Sequence, residues 1–138
     1  MNEKPLGEVT LALPVSEFVD RFLISALKLN KFKQAGNSNT EQLQKWIDNH
    51  QEDYTNIINF SEEIRQASAQ LAKVHAQLWD LEDLVRSPEA SELEFFAKTA
   101  RKIFSLNTDR HKLKHTIDIQ LPSLSFGPRL YDKGVEQR

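Results

Sequence analysis

Two long stretches of this sequence contain neither glycine nor proline, and they restrict what the chain can fold into. One runs from residue 40 to residue 87 and the other from residue 89 to residue 121. Both mix charged and apolar residues, a composition typical of amphipathic helices. The helix breakers Gly36 and Pro88 separate segments joined by short connections, which favour antiparallel neighbours. The sequence therefore predicts an all-α protein, an antiparallel bundle of three to four helices with extended N- and C-terminal segments.

The first predicted helix runs from about residue 16 to residue 33. Ser16 is placed as its N-cap, and the following Glu17 suits the positive end of a helix. Gly36 lies where a glycine commonly follows the last turn of a helix. Ahead of this helix, residues 8–13 alternate in polarity and include β-branched side chains, which predicts an extended arm or one short strand.

The apolar residues between positions 40 and 86 follow one continuous helical spacing, so the pattern allows either one very long helix or two helices. Asn59, followed three residues later by Glu62, has the pattern of a helix N-cap. This pattern favours a break or kink near residues 59–61.

The last predicted helix spans residues 88–119. Ser87 is placed as its N-cap, and Pro88 falls at the first helical position, where its missing N–H costs nothing. Residues 121–138 are interrupted by proline and glycine, which predicts an extended or partly ordered tail.

Composition narrows the class of protein. The length of 138 residues suits one domain over residues 1–138, with a helical core over residues 14–120. The chain has no cysteine, which excludes a disulfide scaffold, a thiolate zinc site and a cysteine nucleophile. Its net charge of −2 gives no overall attraction to nucleic acid or anionic membrane. We therefore expect a cytoplasmic protein with no cofactor, no bound metal, no nucleic-acid partner and no membrane partner.

The helical pattern also predicts self-association. Long, thin helical hairpins leave much apolar surface open to water, and the pairing of two such hairpins closes it. We therefore expect the chain to form a homodimer.

A row of residues along the last predicted helix steps by four and three, as core positions do, but it becomes polar towards its end. Burying a charge without a partner costs several kcal/mol. Either this end of the row faces solvent, or its cations meet carboxylates or a bound anion. The carboxylates expected as partners lie on the preceding helix, at Asp80, Glu82 and Asp83. The row consists of Phe96, Ala100, Ile103, Asn107, Arg110, Lys114 and Ile117.

Histidine spacing offers a weaker signal. His111 and His115 lie four residues apart on the same helix, and Asp118 follows, so one face could hold a divalent metal. A solvated histidine pair is the alternative that we favour. His50 and His75 are isolated, and His50 falls in an apolar phase that is typical of a hydrogen-bonded core histidine.

Two motifs support a family resemblance. A Trp-Asp-x-Glu-Asp motif begins at Trp79, and an Asn-x-x-Arg-x-x-x-Lys motif begins at Asn107. Together with residues 16–24 and 131–133, they resemble an uncharacterised bacterial family, a domain of unknown function made of short helical proteins. Ser16 stands where that family has a glycine. The resemblance implies a helical fold and brings no assigned reaction.

The positions that the resemblance marks as specific coincide with polar residues on three predicted helices. These residues converge if the first helix packs against the last two. The candidate ligand-binding residues are Glu17, Asp20, Asp83, Arg86, Arg101, Asn107, Arg110 and Lys114.

Three functions fit these observations. The first is an accessory or interaction protein without catalysis, which requires an exposed apolar stripe and a charge cluster that pairs with itself. The second is a binder of a small anionic metabolite bearing phosphate or carboxylate, which requires a cavity with excess positive charge. The third is a small all-helical enzyme of the chorismate-mutase type, which surrounds a dicarboxylate with cations.

Overall fold

The fold is an all-α bundle, as the sequence predicts. A computed structural model describes residues 12–121, without the side chains of residues 89 and 90. Its four helices are α1 (Val15–Gln34), α2 (Glu41–Ile58), α3 (Glu62–Val85) and α4 (Leu93–Gln120), with a short 3-10 turn between α3 and α4. Helices α3 and α4 form a closely packed antiparallel hairpin, against which α1 and α2 lie.

The segment predicted as one helix or two is two helices, so the predicted break is confirmed. Helix α2 ends at Ile58 and α3 begins at Glu62. Ser61 is the N-cap of α3, and its hydroxyl accepts a hydrogen bond from the Ile64 N–H at 3.1 Å. This bond satisfies one of the N–H groups that have no partner within the first turn of a helix.

Three predicted N-caps are wrong. Asn59 is the C-cap of α2, and Ser61 takes the N-cap position of α3 instead. Pro14 precedes the first turn of α1, and Ser16 lies inside the helix with its hydroxyl directed to α4. Ser87 does not begin the last helix, because Pro88–Ser91 forms the 3-10 turn and α4 starts only at Leu93. The Ser87 hydroxyl instead donates to the Leu84 carbonyl, at the end of α3.

The two predicted terminal segments lie almost wholly outside the described residues. Of residues 8–13, only Ala12 and Leu13 are described, and they have no regular secondary structure. Of the predicted tail at 121–138, only Leu121 is described, and its side chain is buried.

The apolar core lies at one end of the bundle. It joins the start of α1, the start of α3 and the end of α4, with Tyr54 and Ile57 of α2 packed against it. Helix α2 adds an aromatic seam, in which the ring of Tyr54 stacks on that of Phe22 with centroids 4.3 Å apart. The buried core cluster consists of Val15, Val19, Ile64, Ala67, Leu71, Ile117 and Leu121.

The other end of the α3–α4 hairpin is packed differently. We call residues 79–106 the hairpin arm. None of the large apolar side chains described in the arm is buried, and Thr99 is its one buried residue among those described. The bundle is therefore closed at one end and leaves apolar surface accessible at the other.

Gly36 ends α1 in a left-handed conformation, with φ of 77°. The N–H groups of Gly36 and Asn37 donate to the carbonyls of Lys33 and Phe32. This is a Schellman motif, which satisfies carbonyls at the end of the helix. The glycine predicted to follow α1 is confirmed in that position.

Replacing Gly36 with alanine is expected to lower the free energy of unfolding by about 1–2 kcal/mol. No atom lies within 4 Å of the position that a Cβ would occupy, so the cost comes from the backbone conformation alone. Urea denaturation followed by circular dichroism measures it. Gly36→Asn is the matched control, since asparagine tolerates the left-handed region better. Equal losses for the two variants would contradict this account.

Candidate functional site

A buried carboxylate on α1 organises the polar residues of the bundle. The Asp20 side chain is 3% exposed and lies where α1 faces both α3 and α4. The Arg110 guanidinium donates to it through two nitrogens, Nε to Oδ1 at 3.1 Å and Nη2 to Oδ2 at 2.6 Å. Such a two-point contact fixes the orientation of both side chains as well as their distance.

Helix α3 supplies another donor to the same carboxylate. The Nε2 atom of His75 donates to Oδ1 of Asp20 at 2.8 Å, and the His75 side chain is 5% exposed. His75 is part of the core face of α3, four residues after Leu71 and three before Leu78. Asp20 therefore ties α1 to both helices of the hairpin.

A second ion pair lies one turn along α4 from Arg110. The Lys114 ammonium donates to Glu17 Oε2 at 2.8 Å and lies 3.8 Å from Asp20 Oδ2. Because Lys114 is 13% exposed while Glu17 is 37% exposed, this pair opens to solvent on the Glu17 side. We call Glu17, Asp20, His75, Arg110 and Lys114 the Asp20 cluster.

Ser16 and Asp118 continue the row of contacts beyond the cluster. The Ser16 backbone N–H donates to Asp118 Oδ1 at 3.0 Å and its hydroxyl donates to Oδ2 at 2.7 Å. The contacts on α4 thus fall at residues 118, 114 and 110, four residues apart, as expected for one face of a helix. Their partners on α1 are residues 16, 17 and 20, so the residue number rises along α1 as it falls along α4. The two helices are therefore antiparallel.

Electrostatics keep Asp20 ionised. Burial acts to raise the pKa of its carboxyl, but hydrogen bonds from His75 and Arg110, together with the positive charge of Arg110, outweigh burial and hold that pKa well below its usual range. The hydrogen bonds that Arg110 donates to this carboxylate raise the pKa of Arg110. The carboxylate and the guanidinium are therefore both charged at neutral pH.

Of the eight predicted site residues, the structure brings four together. Glu17, Asp20, Arg110 and Lys114 meet in the Asp20 cluster. Asp83 and Arg86 pair with each other at the exposed end of α3, far along the hairpin, at 2.9 Å. The other two lie apart from these pairs on α4: Arg101, which is exposed, and Asn107, which is half-buried.

The partners expected for the cations of α4 were wrong. The sequence pointed to Asp80, Glu82 and Asp83 on α3, but Arg110 and Lys114 meet carboxylates of α1 instead. The three acids of α3 lie on its exposed face. Sequence reasoning also missed His75, although its position between Leu71 and Leu78 in the apolar phase of α3 was the available signal.

The other histidines do not form a metal site in the described residues. His111 and His115 are exposed, and Asp118 is engaged by Ser16. No group of three His, Asp or Glu side chains within residues 12–121 is placed to hold a metal ion. His50 is half-buried and its Nδ1 lies 2.7 Å from the Trp46 carbonyl, which agrees with the hydrogen-bonded histidine predicted there.

The Asp20 cluster is arranged as a structural network. Its carboxylates and its cations contact one another, so the cluster presents no surplus positive charge to a ligand. An arginine and a carboxylate fixed to each other in this way hold helices in register.

Comparison of the chain with protein families, with curated proteins and with solved structures gave no match. The resemblance to a domain of unknown function therefore stays a prediction. None of the helices that the structure describes combines the length and the apolar character needed to cross a membrane.

Replacing Asp20 with asparagine is expected to lower the free energy of unfolding by about 3–5 kcal/mol, because it removes the negative charge that pairs with Arg110 and places an NH2 group where one of the two acceptor oxygens stood. Asp83→Asn is the matched control, since Asp83 also pairs with an arginine but both side chains are more than 60% exposed. That variant is expected to lose less than about 0.5 kcal/mol. Urea denaturation of both variants at neutral pH measures the difference, and equal losses would contradict a buried network.

The contribution of Asp20 is also expected to depend on pH. Its pKa is lower in the folded protein than the value of about 3.9 expected for an unfolded chain. As the pH falls below about 4, the unfolded state takes up the proton first, so the stabilisation declines. The difference in unfolding free energy between the natural protein and Asp20→Asn should therefore shrink below that pH. A difference that grows on acidification would show that the sign is wrong.

Proposed function

We propose that this protein is a non-catalytic interaction protein that binds another polypeptide through the apolar surface of its hairpin arm. The observation that carries the proposal is the exposure of large apolar side chains on α4. Leu93 is 81% exposed and Phe104 is 74% exposed. Phe96 of α4 and Leu84 of α3 add further exposed apolar area to the arm.

Single exposed apolar residues are ordinary on protein surfaces, but several on one short segment are less so. On α4, Leu93 and Phe96 lie in the first turn and Phe104 lies about two turns after Phe96. The arm also contains half-buried apolar side chains, among them Trp79, Leu81 and Ile103. A surface of this kind favours burial against a second chain.

The pairing of the buried cations with carboxylates supports the same function. A binder of an anionic metabolite, or an enzyme of the chorismate-mutase type, needs cations directed into a cavity. In the Asp20 cluster, both Arg110 and Lys114 are already held by carboxylates. These two alternatives are therefore less well supported than protein binding.

The cavity beside the first turn of α1 also fits anion binding poorly. One cavity, of about 500 Å³, lies between the start of α1 and the end of α2, and Asp53 is the one charged residue among those that line it. The other lining residues are Ala12, Leu13, Val15, Phe18, Asn56 and Ile57. An acid in an apolar cavity disfavours phosphate or carboxylate ligands.

Site-specific photo-crosslinking tests the proposal. With the photoreactive residue benzoylphenylalanine in place of Phe104, the full chain in its native cells is expected to give covalent adducts with a polypeptide. The same residue in place of Lys73, which is exposed on α3, is the matched control and should give none. A Leu93→Ser change in the crosslinking chain should reduce the adduct, because it removes apolar contact from the same face.

Two outcomes would overturn this function. One is the absence of any adduct specific to position 104. The other is a rise in melting temperature caused by phosphate- or carboxylate-bearing compounds and lost in Lys114→Met, since this would reassign the Asp20 cluster to ligand binding.

A further inference from the structure

We propose that the arm pairs with the arm of a second copy of this chain, through two α4 helices that cross antiparallel about a two-fold axis near residues 97–100. The inference rests on the proposed function and specifies its partner. It follows from the order of side chains along one face of α4. That face carries the exposed Leu93 and Phe104 with Ala97 and Ala100 between them.

These four residues form one row. Their spacing of four, three and four residues keeps them within a narrow sector of the helix. The row reads large, small, small, large, so it is the same in both directions. An antiparallel copy centred between Ala97 and Ala100 sets Leu93 beside Phe104 of the second copy, and Ala97 beside Ala100 of the second copy.

The small residues at the centre permit close approach. Helix axes pack about 8–10 Å apart, with the distance set by the side chains at the contact. Two alanines on each helix bring the axes towards the short end of that range. The large residues at either end then reach across and cover the flanks of the facing helix.

The two flanks of the row are also self-complementary. On one flank lie two apolar residues, the exposed Phe96 and the half-buried Ile103. On the other flank lie the exposed Glu94 and Arg101. Glu94 precedes the centre of the row and Arg101 follows it, so the two-fold axis brings Glu94 of each copy near Arg101 of the other. The proposed interface therefore contains two pairs of opposite charges, one on each side of the two-fold axis.

Self-complementarity is what singles out a second copy from other protein partners. In a two-fold interface, every contact of residue i with residue j is repeated as j with i, so the patch must match itself. The row, its apolar flank and its charged flank all meet this condition. An unrelated partner requires none of these symmetries.

Sedimentation of the full-length protein over a wide range of concentration is the first test. The expected mass is twice the 15.9 kDa of one chain. Phe104→Glu should raise the dimer dissociation constant by about tenfold or more, as loss of a buried aromatic anchor does. Because Phe104 is 74% exposed in the single chain, this variant should keep its helical circular dichroism. Lys112→Glu, on the exposed face of the same helix, should leave the dissociation constant unchanged.

Exchange of charges tests the antiparallel geometry. Glu94→Arg alone and Arg101→Glu alone each place like charges together and should weaken the dimer. The double variant restores opposite charges at both contacts and should recover the dissociation constant of the natural chain. A monomer at every concentration would overturn self-pairing, and a double variant weaker than both single variants would overturn the antiparallel geometry.

The crosslink at position 104 separates this inference from the function on which it rests. An adduct of two identical chains, mapped to the neighbourhood of Leu93, supports both. An adduct with a different polypeptide overturns self-pairing and leaves the interaction function standing. Absence of an adduct overturns both.

Discussion

The fold depends on a carboxylate that is almost fully shielded from water. Asp20 is almost fully buried, and an ionised carboxylate in that position is tolerated only if donors surround it. The structure supplies His75 from α3 and the two-point contact of Arg110 from α4. Since these donors come from different helices, the requirement of one side chain fixes the position of α1 against the hairpin. In the helix alignment that these hydrogen bonds require, Val15 and Val19 are buried in the apolar core and add to its stability.

This constraint divides α4 into two parts along one side of the helix. Residues 110, 114 and 118 are polar and are covered by α1. From Asn107 towards the N-terminus of α4, the same side of the helix becomes apolar and contains Phe104, which α1 does not cover. One side of α4 thus forms an internal polar interface near its C-terminal end and an exposed apolar surface near its N-terminal end. Its apolar part has the properties of a surface completed by another chain.

The sequence predicted those features of the fold that depend on local chemistry. The helical class, the break before α3 and the glycine after α1 each follow from propensity, capping or φ preference, and each is confirmed. The N-cap prediction for Ser16 failed because its hydroxyl and N–H bind Asp118, more than one hundred residues away. Four of the eight candidate site residues do converge, but their pairing depends on which helices become neighbours. The one signal for His75 is its position in the apolar phase of α3, and an isolated histidine there has no spacing that identifies Asp20 as its partner.

The Asp20 cluster also explains why α1 does not slide along α4 to cover the exposed row. A shift of one helical turn, about 5.4 Å, would move Asp20 from Arg110 towards Asn107, which carries no charge. The buried carboxylate would then lose its two-point contact, and Lys114 would lose Glu17. Breaking a buried ion pair costs about 3–5 kcal/mol, which exceeds the gain of about 1.5–3 kcal/mol from burying one leucine or phenylalanine side chain. The polar cluster therefore holds α1 in the one register that keeps the apolar row of α4 available.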